Sequence, residues 1–599
     1  MFSSVLIANR GEIAVRIARA CADAGISSIA VYAPQDRDAL HVRVADQAFA
    51  LPGSTPAETY LNVDAVVAAA LRSGARAVHP GYGFLAESAS LARAVADAGL
   101  AWIGPPPEAL EEVSNKLSAR RLAERAGAPL IPATAGPVEN ADAVVEFAGG
   151  CGYPVVVKAA YGGGGRGMRV VRDASEAGEA LAACRREALA AFGRDECFAE
   201  RFLERPRHVE TQCLADAHGD VAVVSTRDCT VQRRHQKLVE EAPAPFLTAA
   251  QTEALRSASR MLLLAAGYQG AATCEFLIAQ DGAVNFMEVN PRLQVEHPVT
   301  EEVTGVDLVL EQFRIAAGEP LGFGDLEPRG HAIEFRINAE DPAAGFLPAP
   351  GTLTGLRLPG GPGVRCDFGY EAGDTLTGEF DSMVGKVVVS GRDRAEALSR
   401  SRRALRELKV EGLATVRDFH RAVVEAPEFA AQDTDDFRVH TRWIEEEFAD
   451  ALAALPPASR HADPAGAPEA APTTRMVVEV GGKRLEVVLP AELAGGLAAA
   501  GPAGAAPPAP QPRRAAPRGG GTASGASADG AVAAPMRGTV VRLAAAEGDR
   551  VAAGDLLVVL EAMKMEQPLT APRAGTVRHL DVAPGDQVAT GQVLCVVEP

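Results

Sequence analysis

The sequence predicts a multidomain protein in which α/β and α+β domains precede a linker and a small all-β domain. Three observations support this fold class. Strand-like apolar segments alternate with helical segments in the first part of the chain, as in doubly wound α/β domains. Residues 495–530 are almost wholly Ala, Pro, Gly, Ser and Arg without an apolar face, which predicts a flexible linker. After this linker, the sequence contains two similar halves, and each has the alternating pattern of short β-strands.

The overall composition excludes several classes of protein. With 599 residues, of which 47% are hydrophobic, the chain is long enough for several cores. Its formal net charge of −19 argues against nonspecific binding to nucleic acid. Nine cysteines without a Cys-x-x-Cys pair indicate neither a disulfide framework nor a zinc site, so we expect a reducing, cytoplasmic environment. We expect no membrane span, and the strand-like segment at 5–8 argues against a leader peptide.

The first domain is expected over residues 1–114. A strand at 5–8 is followed by the turn sequence NRGE and by a helix that continues to Ala24. Further strand candidates lie at 29–32, 77–78 and 102–103. This alternation predicts a doubly wound α/β domain.

A glycine-rich segment predicts a phosphate-binding loop. The strand-like sequence VVVK at 155–158 precedes GGGGRGM at 162–168. Glycines let backbone N–H groups approach phosphate oxygens closely, and Lys158 adds a positive charge. The segment is not a Walker A loop, because no Gly-Lys-Ser/Thr sequence follows. The glycine run alone would also fit a flexible hinge or an RNA-binding tract.

Two acidic residues indicate a metal site. Glu275 and Glu288 each lie in an alternating apolar segment, and we expect the two segments to form adjacent strands. Two carboxylates brought together in a largely apolar sheet repel each other unless a cation compensates. Mg²⁺ prefers one or two carboxylates together with nucleotide phosphates, and the Asn290 amide oxygen could add a ligand. The alternative, acids on the solvent face of two strands, fits either segment alone.

The last part of the chain, 531–599, contains the internal repeat. APxxGTV at 534–540 returns at 571–577, and GDxVxxG at 548–554 returns at 585–591 with the same spacing. We expect the two halves to close into a flattened barrel or sandwich, with the sequence EAMKM at 561–565 between them. Only seven of the 59 basic residues are lysines, so Lys564 is expected to serve as a primary amine that can be acylated.

The repeat and the EAMKM sequence resemble the biotin carboxyl carrier domains. In that family the lysine between two methionines carries biotin, which implies biotin on Lys564. Lipoyl domains are similar but usually lack a methionine on both sides of the lysine.

Residues 1 to about 446 resemble a biotin carboxylase. The matching sequences are NRGE after the first strand, ERFL at 200–203, PRHVE at 206–210, QRRHQK at 232–237, EVNPRLQVEH at 288–297 and FRINAED at 335–341. The glycine run at 162–168, together with the strand-like sequence before it that ends in Lys158, resembles the lid of ATP-grasp enzymes. The resemblance implies an N-terminal α/β domain at 1–114, an ATP-grasp domain at 115–330, a mixed C-terminal carboxylase domain at 331–446 and a biotinyl domain at 531–599.

The resemblance also implies the roles of individual residues. Glu200 and backbone groups would bind the adenine edge of ATP. Glu275, Glu288 and Asn290 would bind Mg²⁺ or Mn²⁺. The nucleotide-binding residues implied are Lys116, Lys158, Gly163, Gly164, Gly165, Gly167, Glu200, Leu203, His208, Gln232 and His235.

The implied chemistry is the ATP-dependent carboxylation of biotin by bicarbonate. Arg292 would hold bicarbonate bidentately, Lys237 would add charge and Glu296 would accept the bicarbonate proton. Arg336 would stabilise the negative charge that develops on biotin.

Between the two matched regions, residues 447–494 form a connecting region. Helix is expected over 444–455, broken by Pro456 and Pro457, and a β-hairpin is expected from 476–480 and 484–489. Residues 447–530 are too few for a carboxyltransferase. We therefore expect an oligomeric α subunit of an acetyl- or propionyl-CoA carboxylase. It would be modified by a biotin protein ligase and would work with a carboxyltransferase β subunit.

Three alternatives stay open. The acceptor could be 3-methylcrotonyl-CoA, pyruvate or urea. The chain could be another ATP-grasp ligase, or a carrier or scaffold without catalytic activity.

Overall fold

The computed structural model describes residues 1–114, 116–160, 168–192, 194–455, 473–480, 483–490, 530–534, 538–562, 565–588 and 591–598. The chain divides into two compact units, Met1–Ser459 and Arg460–Pro599. Among the helices within these described ranges, none is long and apolar enough to cross a membrane.

The first unit begins with a five-stranded parallel sheet in the order β3-β2-β1-β4-β5. Its strands are β1 Ser4–Ile7, β2 Ser27–Tyr32, β3 Gln47–Ala50, β4 Ala77–His79 and β5 Ala101–Trp102. Its helices are α1 Gly11–Asp23, α2 Leu40–Val44, α3 Val63–Ser73, α4 Ala89–Asp97 and α5 Pro107–Ser114. Apolar clusters lie on both faces of the sheet, which explains why its strands are continuously apolar. The predicted α/β class is confirmed.

A three-stranded antiparallel sheet follows, in the order β7-β6-β8. Its elements are α6 Lys116–Arg125, α7 Ala141–Cys151, β6 Val155–Ala159, β7 Met168–Val171, α8 Ala177–Phe192 and β8 Cys197–Arg201. The glycine run lies outside the described residues, between β6 and β7. Lys158 lies on β6, before this run, and is the antiparallel register partner of Phe198 on β8.

The largest sheet has eight strands in the order β13-β12-β9-β10-β11-β14-β21-β19. The elements up to residue 316 are β9 Arg207–Ala215, β10 Val221–Arg233, β11 Gln236–Ala242, α9 Ala249–Ala265, β12 Gly270–Ile278, β13 Val284–Asn290, α10 His297–Thr304 and α11 Leu308–Ala316. The later strands are β14 His331–Asn338, β15 Glu340–Asp341, β16 Leu347–Pro348, β17 Gly351–Thr352, β18 Gly355–Arg357, β19 Val364–Phe368, β20 Thr375–Leu376, β21 Met383–Gly391 and β22 Lys409–Glu411.

This sheet continues across the limit at 330 that the sequence predicts between two domains. Strands β11 and β14 pair antiparallel, with Val239 opposite Phe335. The residues before and after 330 therefore share one sheet, although the predicted domain limits themselves stay predictions.

The last part of the first unit is mainly helical. They are α12 Arg394–Glu407, α13 Arg417–Val423, α14 Pro427–Ala430, α15 Trp443–Glu446 and α16 Ala449–Ala453. In place of one helix over 444–455, the structure has two, α15 and α16. The break places the Trp443 and Phe448 rings 4.6 Å apart and buries both.

The second unit contains the predicted hairpin. Strands β23 Thr473–Val480 and β24 Lys483–Pro490 pair antiparallel, with Val480 opposite Lys483. Most of the predicted linker, 495–529, lies outside the described residues.

The repeated sequences fold into two four-stranded sheets, β25-β32-β30-β27 and β29-β28-β26-β31, around one apolar core. The strands are β25 Ala531–Ala533, β26 Gly538–Leu543, β27 Arg550–Val551, β28 Leu556–Ala562, β29 Met565–Thr570, β30 Gly575–Arg578, β31 Gln587–Val588 and β32 Val593–Glu598. The predicted flattened all-β domain is confirmed.

Reciprocal hydrogen bonds join the two halves of this repeat. Gly548 N donates to Val577 O at 2.9 Å, and Gly585 N donates to Val540 O at 2.7 Å. Both glycines have φ above +90°, which disfavours any other residue. The aspartate after each glycine accepts a backbone N–H from three residues earlier at 2.8 Å. The repeat in the sequence is thus a pseudo-twofold repeat of the fold.

Candidate active site

The centre of the candidate site is the ammonium group of Lys237, which contacts three carboxylates. Lys237 Nζ lies 2.6 Å from Glu210 Oε2, 2.8 Å from Glu275 Oε1 and 2.8 Å from Glu296 Oε1. Glu210 and Glu275 are direct partners on β9 and β12, and Glu296 is the residue that precedes α10. Burial alone would lower the pKa of Lys237, but the surrounding acids raise it well above its ordinary value. The lysine therefore stays charged and holds together acids that would otherwise repel one another.

Glu296 is completely buried and receives positive charge from two sides. Its Oε1 accepts from Lys237, and its Oε2 lies 3.0 Å from the NH2 group of Arg336, on β14. Burial alone would raise the pKa of Glu296, but Lys237, Arg336 and Arg227 together hold it well below its ordinary value. The carboxylate is thus ionised at neutral pH, as a proton acceptor must be.

Arg227 supports this group of charges from inside the sheet. Its guanidinium is fully buried on β10 and donates to Glu210 at 2.5 Å, Gln212 at 2.7 Å and Thr273 at 3.0 Å. Arg227, Glu210 and Glu240 have no role predicted from the sequence alone. A signal was present for Glu210, because polar residues alternate along β9 at 208, 210 and 212 and so face one side of the sheet.

The predicted metal pair lies on adjacent strands. Glu275 on β12 is directly opposite Glu288 on β13. Burial would raise the pKa of Glu275, but Lys237 and His208 lower it, so that its carboxylate is ionised. Asn290 Nδ2 donates to Glu275 Oε1 at 2.9 Å, which places its side chain beside the pair. The structure therefore brings the three predicted metal ligands together.

Two of the predicted nucleotide residues lie against this acidic group. His208 Nε2 is 3.0 Å from Glu275 Oε2, and Gln232 Nε2 is 3.4 Å from His208 Nδ1. Burial lowers the pKa of His208, yet Glu275 outweighs it and leaves the pKa raised. His235, in contrast, is exposed in the two-residue turn between β10 and β11, at φ +66°.

The remaining predicted nucleotide residues are partly described. Lys158 Nζ lies 2.6 Å from Glu200 Oε1, and Leu203 is half-buried just after β8. Lys158 and Glu200, which are predicted to bind phosphate and adenine, thus meet in the small sheet. The predicted positions outside the described residues, or with a side chain that is not described, are Lys116, Gly163, Gly164, Gly165 and Gly167.

Arg292 is the predicted bicarbonate ligand, and acids and amides of the chain contact it. Its Nε lies 2.7 Å from Glu87 Oε1, and its NH1 donates to Gln294 Oε1 at 2.8 Å. Its NH2 donates to Asn290 Oδ1 at 3.3 Å. Because Glu87 is 42% exposed, this ion pair is open to solvent and can exchange for an anion.

Behind the loop that carries Glu296 lies one more lysine, Lys386. It is completely buried, donates to the Val295 carbonyl at 2.7 Å and lies 3.2 Å from Glu12 Oε1. This lysine ties the loop to helix α1 of the N-terminal sheet.

Lys564, the predicted carrier lysine, lies in the sequence between two described strands. Strand β28 ends at Ala562 and β29 begins at Met565, and these two residues are direct partners. Lys564 itself lies outside the described residues, so the role predicted for it stays a prediction.

Four family descriptions match this chain. They are "Biotin carboxylase, N-terminal domain" over residues 1–110, "Carbamoyl-phosphate synthase L chain, ATP binding domain" over 115–323, "Biotin carboxylase C-terminal domain" over 334–446 and "Biotin-requiring enzyme" over 530–597.

The similar proteins are carboxylase subunits. The biotin-dependent acyl-coenzyme A carboxylase alpha3 subunit of Mycobacterium leprae is 53% identical over 569 residues, which are 95% of this chain and 94% of that protein. A pyruvate carboxylase subunit of Methanothermobacter thermautotrophicus is 44% identical, over 74% of this chain and 90% of that protein. A solved biotin carboxylase domain of Hydrogenobacter thermophilus 2-oxoglutarate carboxylase, a dimer with MgADP, ADP and bicarbonate, is 40% identical with a TM-score of 0.71. The match covers 76% of this chain and 99% of the solved chain.

Proposed function

Because this chain belongs to the biotin-dependent carboxylases and joins a biotin carboxylase to a biotin carrier domain, we propose that it is the α subunit of an acetyl-CoA or propionyl-CoA carboxylase. The chain is an ATP-dependent ligase whose cofactors are biotin, ATP and Mg²⁺. The observation that carries the acyl-CoA assignment is the likeness to the Mycobacterium leprae protein, which extends over the carboxylase and carrier regions together.

The acidic group fits a magnesium ion. Glu275 and Glu288 are cross-strand partners, and Asn290 lies beside them, so two carboxylates and an amide are available without a change of fold. Bound there with the nucleotide, Mg²⁺ would offset the negative charge of the phosphates. The Asn290 amide nitrogen now faces Glu275, whereas only the amide oxygen can bind a metal. The amide would therefore rotate to turn its oxygen toward Mg²⁺.

The nucleotide would bind between the small sheet and the large sheet. Glu200 would accept from the adenine amino group, and Lys158, its present partner at 2.6 Å, would turn to phosphate oxygens. His208 and Gln232 would meet the ribose and phosphates from β9 and β10. His235 would reach the nucleotide from the exposed turn between β10 and β11.

The proton transfer is assigned to Glu296. Arg292 would exchange Glu87 for bicarbonate, and Glu296 would take the bicarbonate proton as the anion attacks the terminal phosphate of ATP, which forms carboxyphosphate and releases ADP. Lys237 shares its charge among three carboxylates and can turn toward the transferred phosphoryl group. When Lys237 and Arg336 leave Glu296, its carboxylate becomes a stronger base.

Arg336 acts in the second step. Carboxyphosphate would break down to CO₂ and phosphate. The phosphate would take the ureido proton of biotin, and the biotin nitrogen would then attack CO₂. Arg336 would stabilise the charge that develops on the ureido oxygen, because its NH2 group can leave Glu296 for that oxygen.

Glu288→Gln is expected to reduce bicarbonate-dependent ATP cleavage by more than about tenfold, since it removes one of the two carboxylates offered to Mg²⁺. Raising Mg²⁺ should partly restore the rate. The measurement is the ATPase rate against Mg²⁺ concentration. Glu302→Gln, which removes an exposed carboxylate from α10, is the control and should leave the Mg²⁺ dependence unchanged. An unaltered Mg²⁺ dependence in a folded Glu288→Gln protein would refute the assignment.

We also propose that the assembly is oligomeric and that the partner is a carboxyltransferase β subunit. The purified, biotinylated chain alone should cleave ATP with bicarbonate and carboxylate free biotin, but should form no malonyl-CoA or methylmalonyl-CoA. Adding the partner that copurifies with it should start the acyl-CoA reaction. Carboxylation of either acyl-CoA by the pure chain would disprove the need for a separate carboxyltransferase.

A second candidate acceptor is pyruvate, because the relative from Methanothermobacter thermautotrophicus is a pyruvate carboxylase subunit. That likeness covers 74% of this chain, whereas the acyl-CoA relative covers 95%. Acetyl-CoA, propionyl-CoA, 3-methylcrotonyl-CoA, pyruvate and urea assayed side by side with the copurified partner would decide between them.

A further inference from the structure

The guanidinium of Arg336 lies between two buried carboxylates and uses a different edge for each. Its Nε donates to Glu240 Oε1 at 2.5 Å, and its NH2 group lies 3.0 Å from Glu296 Oε2. Both acids are completely buried, and the arginine side chain is only 14% exposed. The two contacts are therefore strong, charge-assisted hydrogen bonds in a largely buried environment.

These two contacts have different requirements during the reaction. Glu296 accepts a proton in the first step and Arg336 turns to biotin in the second, so the bond between them has to break during the reaction. Glu240 has no such task, and its bond to Nε can persist. When Nε is held by a hydrogen bond, the plane of the guanidinium keeps its orientation. Its NH2 group can then change its hydrogen-bond partner with little motion.

A second buried acid lies directly across the sheet from Glu240. Glu334 on β14 is the register partner of Glu240 on β11, and it is completely buried. Among the residues that the structure describes, both oxygens of Glu334 and Oε2 of Glu240 have no hydrogen-bond partner. Two adjacent buried carboxylates cannot both be ionised at low cost, so one of them must carry a proton.

The charges around the pair indicate which acid carries the proton. Burial raises the pKa of Glu334 well above its ordinary value, and Lys386 only partly offsets this rise. Burial also raises the pKa of Glu240, to about 7, although Arg336 opposes it. Because Arg336 contacts Glu240 directly, the charge stays on Glu240 and the proton on Glu334.

We propose that Glu240 is a positioning residue for the carboxylation of biotin. It anchors the Nε edge of Arg336 while the NH2 edge exchanges Glu296 for the substrate, and protonated Glu334 allows Glu240 to stay charged. This inference rests on the function proposed above for Arg336. Glu240 touches no reacting atom and acts only through the arginine.

The test is a comparison of Glu240→Gln with Glu241→Gln in the full chain. Glu241 is the next residue of the same strand, is also buried and bonds Arg394 and His331, away from Glu296. Two rates are measured in each variant: carboxylation of free biotin, and bicarbonate-dependent ATP cleavage without biotin. Thermal unfolding midpoints report loss of stability.

We expect Glu240→Gln to reduce biotin carboxylation by about tenfold or more and to reduce biotin-independent ATP cleavage by at most about threefold. Glu241→Gln should lower stability without changing the ratio of the two rates. If Glu240→Gln lowers both rates equally, its role is structural and the inference fails.

Arg336→Ala separates this inference from the proposed function. If Arg336→Ala does not change the ratio of the two rates, the function proposed for Arg336 is wrong. If Arg336→Ala changes the ratio and Glu240→Gln does not, only the inference about Glu240 is wrong.

The proton assigned to Glu334 has its own readout. The infrared spectrum of the chain should contain the C=O stretching band of a buried, protonated carboxyl group, and Glu334→Gln should remove it. A spectrum that Glu334→Gln leaves unchanged would overturn the assignment of the proton to Glu334.

Discussion

Lys564→Arg is expected to abolish the coupled carboxylation of the acyl-CoA and to remove biotin from the chain. Arginine keeps the positive charge, but its guanidinium does not undergo the acylation that a primary amine undergoes. After coexpression with a biotin protein ligase, intact-mass measurement should find one biotin on the wild-type chain and none on the variant. Full coupled activity in an unmodified chain would contradict this assignment.

The same variant should retain the carboxylation of free biotin, because every residue assigned to that reaction lies in the first unit, Met1–Ser459. Lys409→Arg is the matched control. It replaces an exposed lysine of the first unit, and it should keep both the biotin label and the coupled activity. Loss of free-biotin carboxylation in Lys564→Arg would show that the substitution acts by disturbing the fold.

Features that depend on local sequence pattern were predictable. The glycines at 548 and 585 repeat at equal spacing, and both adopt the positive φ that a tight turn needs. Alternation around Glu275 and Glu288 placed them on adjacent strands, and the structure pairs them directly. In each case a short-range rule determines the geometry.

Features that depend on long-range pairing were not predictable from local pattern. Glu240 contacts Arg336 across a strand pair that brings together residues almost a hundred positions apart. The same pairing carries the large sheet past residue 330, where the sequence suggested a domain limit. The break between α15 and α16 also has a tertiary cause, because Trp443 and Phe448 are both buried by it.

Glu296→Gln is expected to produce the largest loss in the carboxylase half-reaction. Glutamine keeps the shape of the side chain but cannot accept the bicarbonate proton. General-base catalysis contributes about 10²–10⁴-fold, so bicarbonate-dependent ATP cleavage should fall by at least about 10²-fold. The rate of ATP cleavage with saturating bicarbonate, measured with and without free biotin, provides the check.

The variant should still fold, because Lys237 keeps Glu210 and Glu275 as partners and Arg336 keeps Glu240. Removing one negative charge from this group leaves it with more buried positive charge, so a lower unfolding temperature is expected. The added positive charge should also strengthen the binding of anionic ATP. Tighter ATP binding together with slow ATP cleavage would show that the base is lost while the nucleotide site remains. A Glu296→Gln protein that binds ATP and cleaves it with bicarbonate at the wild-type rate would show that the base is another group.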